Sequence, residues 1–181
     1  MRRDWIQTFT GKKFFPLDPK MEDICIEDIA HSLSMQCRFV GHSKQFYSVA
    51  EHSIAMVNCW FSGPENKDLA KYAILHDASE AYLCDMPSPI KHLPEFQFYR
   101  EAEKRLSKMI YVRFGLDPAE PDLIKRADYE ILCEEAMSEQ IMSPLHPDWL
   151  HRCDPVIRFA TLSPNLAEKF YLEKFKQLFA I

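Results

Sequence analysis

Polar side chains that could bind a metal interrupt an apolar segment near the middle of the chain. Residues 72–83 read YAILHDASEAYL, so that His76, Asp77 and Glu80 lie among residues suited to burial. Buried ionisable groups persist only when they are paired or hold a ligand, typically a metal. On a helix, His76 and Glu80 share a face, and Asp77 can reach the same point. The spacing therefore predicts that one cation binds His76 and Asp77 together.

Two more ionisable residues interrupt apolar stripes on other predicted helices. His52 follows the sequence SVAE, and Asp128 lies within LIKRADYEIL. An adjacent His-Asp pair can arise by chance, so the prediction of a metal site depends on these two residues as well. Two imidazoles and two carboxylates suit an octahedral or incomplete divalent site, in which water fills the remaining positions. The candidate ions are Co, Mn, Ni, Fe, Zn and Mg.

Helical spacing dominates the chain after a short irregular start and predicts an all-α fold. The clearest helix start is a capping box at Ser48 and Glu51, which places His52 on the first turn of that helix. The apolar faces are expected to include Trp60 and Leu123. Helices are predicted at about residues 26–36, 49–61, 67–83, 95–114, 121–140 and 164–181.

The segments between these helices are marked by proline. The sequence MPSP at residues 86–89 is expected to end the third helix, and residues 142–162 are expected to be loop-rich. Residues 5–20 contain Pro16 and Pro19 and are predicted to form a small hairpin or a packed arm. A length of 181 residues suits one domain, whose motif-bearing core spans about residues 26–140 and is followed by a C-terminal loop and helix at 141–181.

Composition excludes several classes of protein. The formal net charge of −5 argues against stable nucleic-acid binding through a basic face. The chain has only four glycines and neither a GxGxxG nor a GxxxxGK[ST] motif, which excludes the common nucleotide-binding loops. Six scattered cysteines without a CxxC pair are predicted to be buried, reduced thiols. Without a signal-like or membrane-spanning segment, we expect a cytoplasmic protein that does not bind membranes.

The four candidate ligands form part of a longer pattern. His52, the His76-Asp77 doublet and Asp128 reproduce an H…HD…D arrangement. It is accompanied by CRF at 37–39, SVAEHS at 48–53, HDASEAYLCDMPSPIK at 76–91 and IKRAD at 124–128. Across about residues 6–135 the chain resembles the HD-domain phosphohydrolases, and among them the 5'-deoxynucleotidases and their prophage-type relatives.

This resemblance implies a helical HD-domain bundle and a role for each matched residue. One divalent metal would be held by His52, His76, Asp77 and Asp128. Arg38 and Lys91 would hold phosphate, Glu80 would act on the attacking water, and Asp85 would contact the sugar 3'-hydroxyl. Phe39 would stack on a base or close the pocket, and His42 could face phosphate. A planar guanidinium supports the phosphate role, since it offers two parallel hydrogen bonds to a phosphoryl group.

Each of these residues also has a purely structural interpretation. Glu80 could orient a ligand imidazole rather than act on water. Arg38 could be a solvated residue at a helix end, and Asp85 a turn carboxylate after a helix. Phe39 could be a core residue, and His42 could cap its loop. Surface or structural roles are expected for His31, His92, His146 and His151, and for the charged residues Glu101, Lys104 and Lys108.

The resemblance implies an enzyme that releases phosphate from a deoxynucleoside 5'-monophosphate by attack of a metal-activated water. A second enzymatic interpretation is a triphosphohydrolase of deoxynucleoside triphosphates that resembles the dATP-specific phage proteins. Two interpretations without catalysis also stay open, namely a catalytically silent HD module that binds metal or nucleotide, and a helical interaction protein without a site. Relatives of this kind imply a homo-oligomer, a dimer or larger.

Overall fold

Helices build the protein, and a two-stranded hairpin forms its N-terminal arm. The computed structural model describes residues 4–142, 144, 146–149 and 157–180, so that His151 and Cys153 lie outside the described residues. The all-α fold with a short arm is confirmed. The helices are α1 (Ile26–Met35), α2 (Val49–Trp60), α3 (Lys67–Leu75), α4 (Glu80–Leu83), α5 (Ser88–Lys91), α6 (Gln97–Arg113), α7 (Asp122–Met137) and α8 (Pro164–Phe179). Single 3-10 turns lie at Met21–Asp23, Phe39–Gly41, Pro64–Asn66, Pro94–Phe96 and Pro147–Trp149.

The arm consists of antiparallel strands β1 (Ile6–Gln7) and β2 (Lys13–Phe14), in which Ile6 pairs with Phe14. Asp28, on the first turn of α1, ties the arm to the helices. Its carboxylate accepts hydrogen bonds from the Thr10 amide at 2.7 Å and the Thr10 hydroxyl at 3.0 Å. The Cys25 thiol donates to the same carboxylate at 2.9 Å. The predicted hairpin therefore has a specific anchor.

The core lies where the long helices meet. Helix α8 packs against α1, α2 and α3, and α2 packs against α3 and α7. Fully buried side chains from these helices include Leu33, Met56, Ile74, Ile131 and Tyr171. The C-terminal helix, for which the sequence predicted no specific role, is thus part of the bundle that supports the other helices.

The start of α2 is the predicted capping box. The Ser48 hydroxyl accepts from the Glu51 amide at 3.2 Å, and the Glu51 carboxylate accepts from the Ser48 amide at 2.8 Å. Both residues are buried, so the box fixes the helix start within the core. The next residue, His52, is fully buried on the first turn.

The predicted third helix is wrong as a single element. The segment forms two helices, α3 and α4, which are separated by a turn at residues 76–79. In this turn, backbone amides donate to carbonyls three residues back; the Glu80 amide, for example, donates to the Asp77 carbonyl at 2.9 Å. His76 Nδ1 donates to the Ala73 carbonyl at 2.8 Å. In a continuous helix that carbonyl would accept from the Asp77 amide, so the His76 side chain competes with the helical bond at the break.

Some predicted apolar faces are also wrong at helix ends. Trp60 is 40% exposed because it ends α2, and Phe61 turns into the core instead. Leu123 is 51% exposed because the buried stripe of α7 begins one residue later, at Ile124. The short helix α5 begins within the MPSP segment, at Ser88. Pro89 is compatible with this helix because it lies in the first turn, where no helical amide is needed.

The prediction that the thiols are buried is wrong for most of those described. Cys133 is buried, Cys25 and Cys37 are half-buried, and Cys59 and Cys84 are exposed. These five thiols are free, as expected. No helix in the described part of the chain combines the length and the apolar character that crossing a bilayer would demand.

Candidate metal centre and the adjoining cavity

Three predicted ligands converge at one point. His52 comes from α2, and His76 and Asp77 come from the turn between α3 and α4, with one ligand atom of each within 4.8 Å of the others. The two Nε2 atoms are 3.1 Å apart. Asp77 Oδ2 lies 3.0 Å from His76 Nε2 and 3.6 Å from His52 Nε2. This group could hold a metal ion.

The orientation of the two imidazoles fits a cation. His52 Nδ1 faces the Glu135 carboxylate at 2.7 Å, and His76 Nδ1 faces the Ala73 carbonyl at 2.8 Å. Because both partners are acceptors, both Nδ1 atoms carry a hydrogen, and the Nε2 lone pair of each ring becomes available to a cation when that nitrogen gives up its proton. A cation between the rings would satisfy both lone pairs.

The spacing of the ligand atoms supports the same interpretation. Ligands in neighbouring positions of an octahedral ion with bonds of about 2.1 Å are about 3.0 Å apart, and in a tetrahedral ion about 3.4 Å apart. The separations of 3.0, 3.1 and 3.6 Å among His52, His76 and Asp77 lie close to these values. The residues therefore fit a divalent cation.

Asp128, on α7, stands at the edge of this group. Its Oδ1 lies 3.1 Å from His52 Nε2 and 3.8 Å from His76 Nε2. Its side chain is 44% exposed, so it lies at the edge of the buried stripe to which Ile124 and Ile131 belong. It lies one residue beyond the buried Ala127 and faces the solvent-accessible side of the group.

Electrostatics keep the group charged. Burial and Arg38 act to lower the pKa of His52, but Glu135 and Asp128 outweigh them and raise it to about 9. Burial acts to raise the pKa of Asp77, but His76, His52 and Arg38 hold it well below its usual range. The cluster thus keeps an anionic carboxylate beside the two imidazoles.

Arg38 lies beside this group rather than in solvent. Its Nε and NH2 bond Glu135 Oε2 at 3.1 and 2.9 Å, and its NH1 lies 3.9 Å from Asp77 Oδ2. Phe39 follows directly, with its ring centroid 5.6 Å from the guanidinium carbon. Phe39 and Val40 have φ angles of 56° and 55°, a conformation that L residues rarely adopt. This left-handed turn ends the segment that carries Arg38.

Glu80 and Lys91 form an ion pair beside the metal group. Glu80 Oε1 lies 3.8 Å from Lys91 Nζ, which bonds Glu103 Oε1 at 2.6 Å. Glu80 Oε2 is buried and has no hydrogen-bond partner among the described residues. Burial, with Asp77 and Asp85 nearby, raises the pKa of Glu80 well above its usual value. Glu80 is thus a buried carboxyl with one oxygen still available.

Asp85 and His42 differ in their relation to the site. Burial raises the pKa of Asp85, and Arg38, Asp77 and Lys91 all act on its charge, which places it in the same electrostatic environment. Its amide donates to Gln36 Oε1 at 2.9 Å. His42 is exposed, and no hydrogen bond or ion pair joins its side chain to the described residues of the site.

The remaining described histidines lie away from the group. His31 Nδ1 is 3.0 Å from Glu168, and its ring stacks on Phe9 with centroids 3.8 Å apart. His92 bonds the Ser88 carbonyl at 2.8 Å on the surface, and His146 is exposed.

A cavity of about 620 Å³ opens beside the metal group. Its lining includes His76, Asp77 and Asp128 together with Lys91, Lys104, Lys108 and Lys125. Lys104 and Lys108 are exposed, as predicted for a solvated face, but they also line this cavity. The lining therefore places four lysines, together with Glu103 and Glu120, in the same cavity as the candidate ligands, although the whole chain is acidic.

The sequence analysis did not identify Glu135. This residue is fully buried and bonds both His52 and Arg38. Its position seven residues after Asp128 places it on the same face of α7, inside an otherwise apolar stripe. A buried acid at that spacing is the signal that could have identified it.

Comparisons with known proteins give relatives without an assigned activity. No family model matches the chain. The chain is 40% identical over 132 residues to an uncharacterized protein of Escherichia coli (strain K12), YfdR, and the alignment covers 72% of the chain and 70% of the relative. It is 40% identical over 133 residues to an uncharacterized protein of Rhodobacter capsulatus, over 70% of the chain and 66% of that relative.

Proposed function

The chain belongs to the family of the Escherichia coli protein YfdR, and from its candidate metal centre we propose that it is a divalent-metal-dependent phosphohydrolase of deoxynucleotides. The observation that carries this proposal is the facing pair of imidazole Nε2 atoms, 3.1 Å apart, with Asp77 and Asp128 beside them. The likeness to HD-domain phosphohydrolases supplies the reaction class. A deoxynucleoside 5'-monophosphate is the substrate we place first.

A divalent ion held by His52, His76, Asp77 and Asp128 would supply Lewis acidity and a water nucleophile near neutral pH. Co, Mn, Ni, Fe, Zn and Mg are all compatible with this donor set. Arg38 uses Nε and NH2 to bond Glu135, which leaves NH1, on the Asp77 side, to donate to a phosphoryl oxygen. Charge that develops on the phosphoryl group is thereby stabilised.

Other residues handle protons and orient the substrate. Glu80 Oε2, buried and unpartnered, can exchange a proton with water or with the leaving oxygen. Lys91 lines the cavity and is the second cation that we propose for phosphate binding. Asp85 is the acceptor proposed for the sugar 3'-hydroxyl, and Phe39 is the apolar surface proposed for the base. We place this activity in the cytoplasm, where the exposed thiols of Cys59 and Cys84 would stay reduced.

A second candidate function is triphosphohydrolysis of deoxynucleoside triphosphates. The specific observation in its favour is the cavity wall, where Lys104, Lys108 and Lys125 form no ion pair within the described part of the chain. Three exposed ammonium groups beside the ligands offer more positive charge than one phosphate needs. The reaction products distinguish the two functions, because a monophosphatase releases phosphate and a triphosphohydrolase releases triphosphate.

The test is a nucleotide panel with a ligand variant. Protein loaded with each divalent ion is assayed on the four deoxynucleoside monophosphates, the corresponding ribonucleotides and dATP, and the released phosphate species are identified. Asp77→Ala should lower turnover by more than about 100-fold, which exceeds the usual effect of losing a ligand's hydrogen-bond partner. Asp68→Ala, which changes an exposed acid on α3, is the matched control and should keep full activity.

Two results would contradict the proposal. One is a metal-loaded protein that hydrolyses none of these nucleotides. If such a protein still bound nucleotide, the catalytically silent HD module would be the better account. The other is full activity in the Asp77→Ala variant.

A further inference from the structure

Glu135 lies at the centre of a buried network that joins two parts of the site. Its side chain is fully buried on α7. Oε1 accepts from His52 Nδ1 at 2.7 Å and from the Tyr47 hydroxyl at 3.0 Å. Oε2 accepts from Arg38 Nε at 3.1 Å, and Arg38 NH2 lies 2.9 Å from the same oxygen as part of the ion pair. Three side chains therefore converge on a single carboxylate.

The hydrogen bond to His52 determines which ring nitrogen is available to a cation. A carboxylate only accepts, so the bond from Nδ1 places the hydrogen on that atom. Nε2, on the other side of the ring, is then the nitrogen left to bind a cation, and it faces His76 at 3.1 Å. Carboxylate partners of this kind hold ligand imidazoles in one tautomer and one orientation. Glu135 thus prepares His52 as a metal ligand.

The bonds to Arg38 fix the guanidinium in the same way. Two nitrogens of the guanidinium share Oε2 of Glu135, which restricts rotation of the group. The third nitrogen, NH1, is directed to the Asp77 side of the site, 3.9 Å from Oδ2. One carboxylate therefore determines the positions of both a candidate metal ligand and the candidate phosphate-binding cation.

We infer that Glu135 is a positioning residue that sets the affinity of the site for divalent cations through His52 and the orientation of Arg38 toward substrate. The part that concerns Arg38 rests on the proposed phosphohydrolase function. The part that concerns His52 does not, because metal affinity can be measured without turnover.

The primary experiment compares Glu135→Gln with Glu134→Gln. Gln has the same shape, but its amide nitrogen cannot accept a hydrogen bond. Depending on the orientation of the amide, either His52 and Tyr47 or the Arg38 guanidinium then lose their acceptor. We expect Glu135→Gln to weaken binding of Co²⁺ or Mn²⁺ by about 10–100-fold in calorimetric titrations. Glu134, also buried on α7, bonds the Ile157 amide instead, so its variant should bind metal within about twofold of the unchanged protein.

Kinetics and a conservative variant separate positioning from a general structural effect. Glu135→Gln should lower kcat on the best nucleotide at saturating metal, because Arg38 then loses its fixed orientation. Glu135→Asp, which keeps the charge on a shorter side chain, should recover part of the metal affinity. Equal metal affinity in Glu135→Gln and Glu134→Gln would overturn the inference.

A spectroscopic measurement on the unchanged protein does not depend on whether a variant folds. In the zinc-loaded protein, nuclear magnetic resonance should show His52 with its hydrogen on Nδ1, in a bond to a carboxylate. A hydrogen on Nε2 would overturn the inference even if no Glu135 variant folded. If the protein binds metal with this tautomer but hydrolyses nothing, the proposed function fails and the role of Glu135 in metal binding stands.

Discussion

Neighbouring carboxyl groups in this protein differ sharply in how readily they hold a proton. Asp77 and Glu80 are separated by only two residues, but two imidazoles and a guanidinium lower the pKa of Asp77 against the effect of burial. For Glu80, burial and the charges of Asp77 and Asp85 outweigh the effects of Lys91 and Arg38 and raise the pKa. Asp77 therefore keeps its charge for a cation, whereas Glu80 is the carboxyl that takes up a proton first.

Asp28, which lies outside the site, is a third carboxyl group whose pKa departs from its usual value. Burial acts to raise its pKa, but hydrogen bonds from Cys25 and Thr10 outweigh burial and lower it. These bonds stabilise the folded state as long as Asp28 is ionised. They also hold the hairpin against α1.

Asp28→Asn should lower the free energy of unfolding at pH 7 by about 2 kcal/mol, the range for hydrogen bonds to a charged group. Because the pKa of Asp28 is lower in the folded state, its contribution is complete above the unfolded value of about 3.9 and is lost as the pH falls through the folded value. The difference between the unchanged protein and the variant should therefore shrink in urea titrations from pH 5 to pH 2.5. Glu27→Gln, an exposed neighbour on α1, is the control. A difference that stayed constant with pH would contradict this assignment.

At the scale of elements, departures from regular structure position the site. The turn at residues 76–79 breaks the α3–α4 segment where it supplies two candidate ligands. The left-handed turn after Arg38 reverses the chain before α2 begins. Val40 in that turn has φ of 55° and is 65% exposed. Its backbone is therefore strained, and its exposed side chain packs too little to offset that strain.

Val40→Asn should raise the free energy of unfolding by about 1 kcal/mol, because a left-handed conformation costs L residues about 1–2 kcal/mol and Asn tolerates it better. Urea unfolding at pH 7 measures the change. Val112→Asn is the matched control, because Val112 is also exposed but lies within the regular helix α6 and should gain nothing. If Val40→Asn, like the control, brought no gain in the free energy of unfolding, the turn would not be strained.

At the scale of the whole molecule, the metal group joins distant parts of the chain. Its members come from α2, from the turn after α3 and from α7, and α8 packs against both α2 and α3. A ligand that binds only the folded state stabilises that state by an amount that grows with the logarithm of the ligand concentration relative to Kd. We therefore expect bound metal to stabilise the entire bundle.

A divalent cation at 100 times its Kd should add about 2.7 kcal/mol to stability. For a chain of this size, that corresponds to a rise in Tm of about 5–10 °C. Thermal scans with Mn²⁺ or Co²⁺ should show this rise, and a chelator should reverse it. Asp77→Ala should abolish it, and an equal rise in that variant would place the bound cation elsewhere.

Features that depend on contacts between neighbouring residues could be predicted from the sequence. The capping box at Ser48 and Glu51, the start of α8 after Ser163 and the all-α fold depend on contacts within a few positions, where spacing and residue type decide the outcome. The candidate ligands were also identified this way, because a polar residue in an apolar stripe needs a partner.

The identity of the distant residues that complete the site depends on how the helices pack against each other. Glu135 meets His52 across 83 positions and Arg38 across 97, and no local pattern specifies such a pairing. The lysine-lined wall depends on where α6 and α7 lie around the candidate ligands. The break at residues 76–79 also depends on tertiary contacts, because His76 and Asp77 in this turn belong to the metal group. Such contacts outweigh the intrinsic preference of an apolar segment for an unbroken helix.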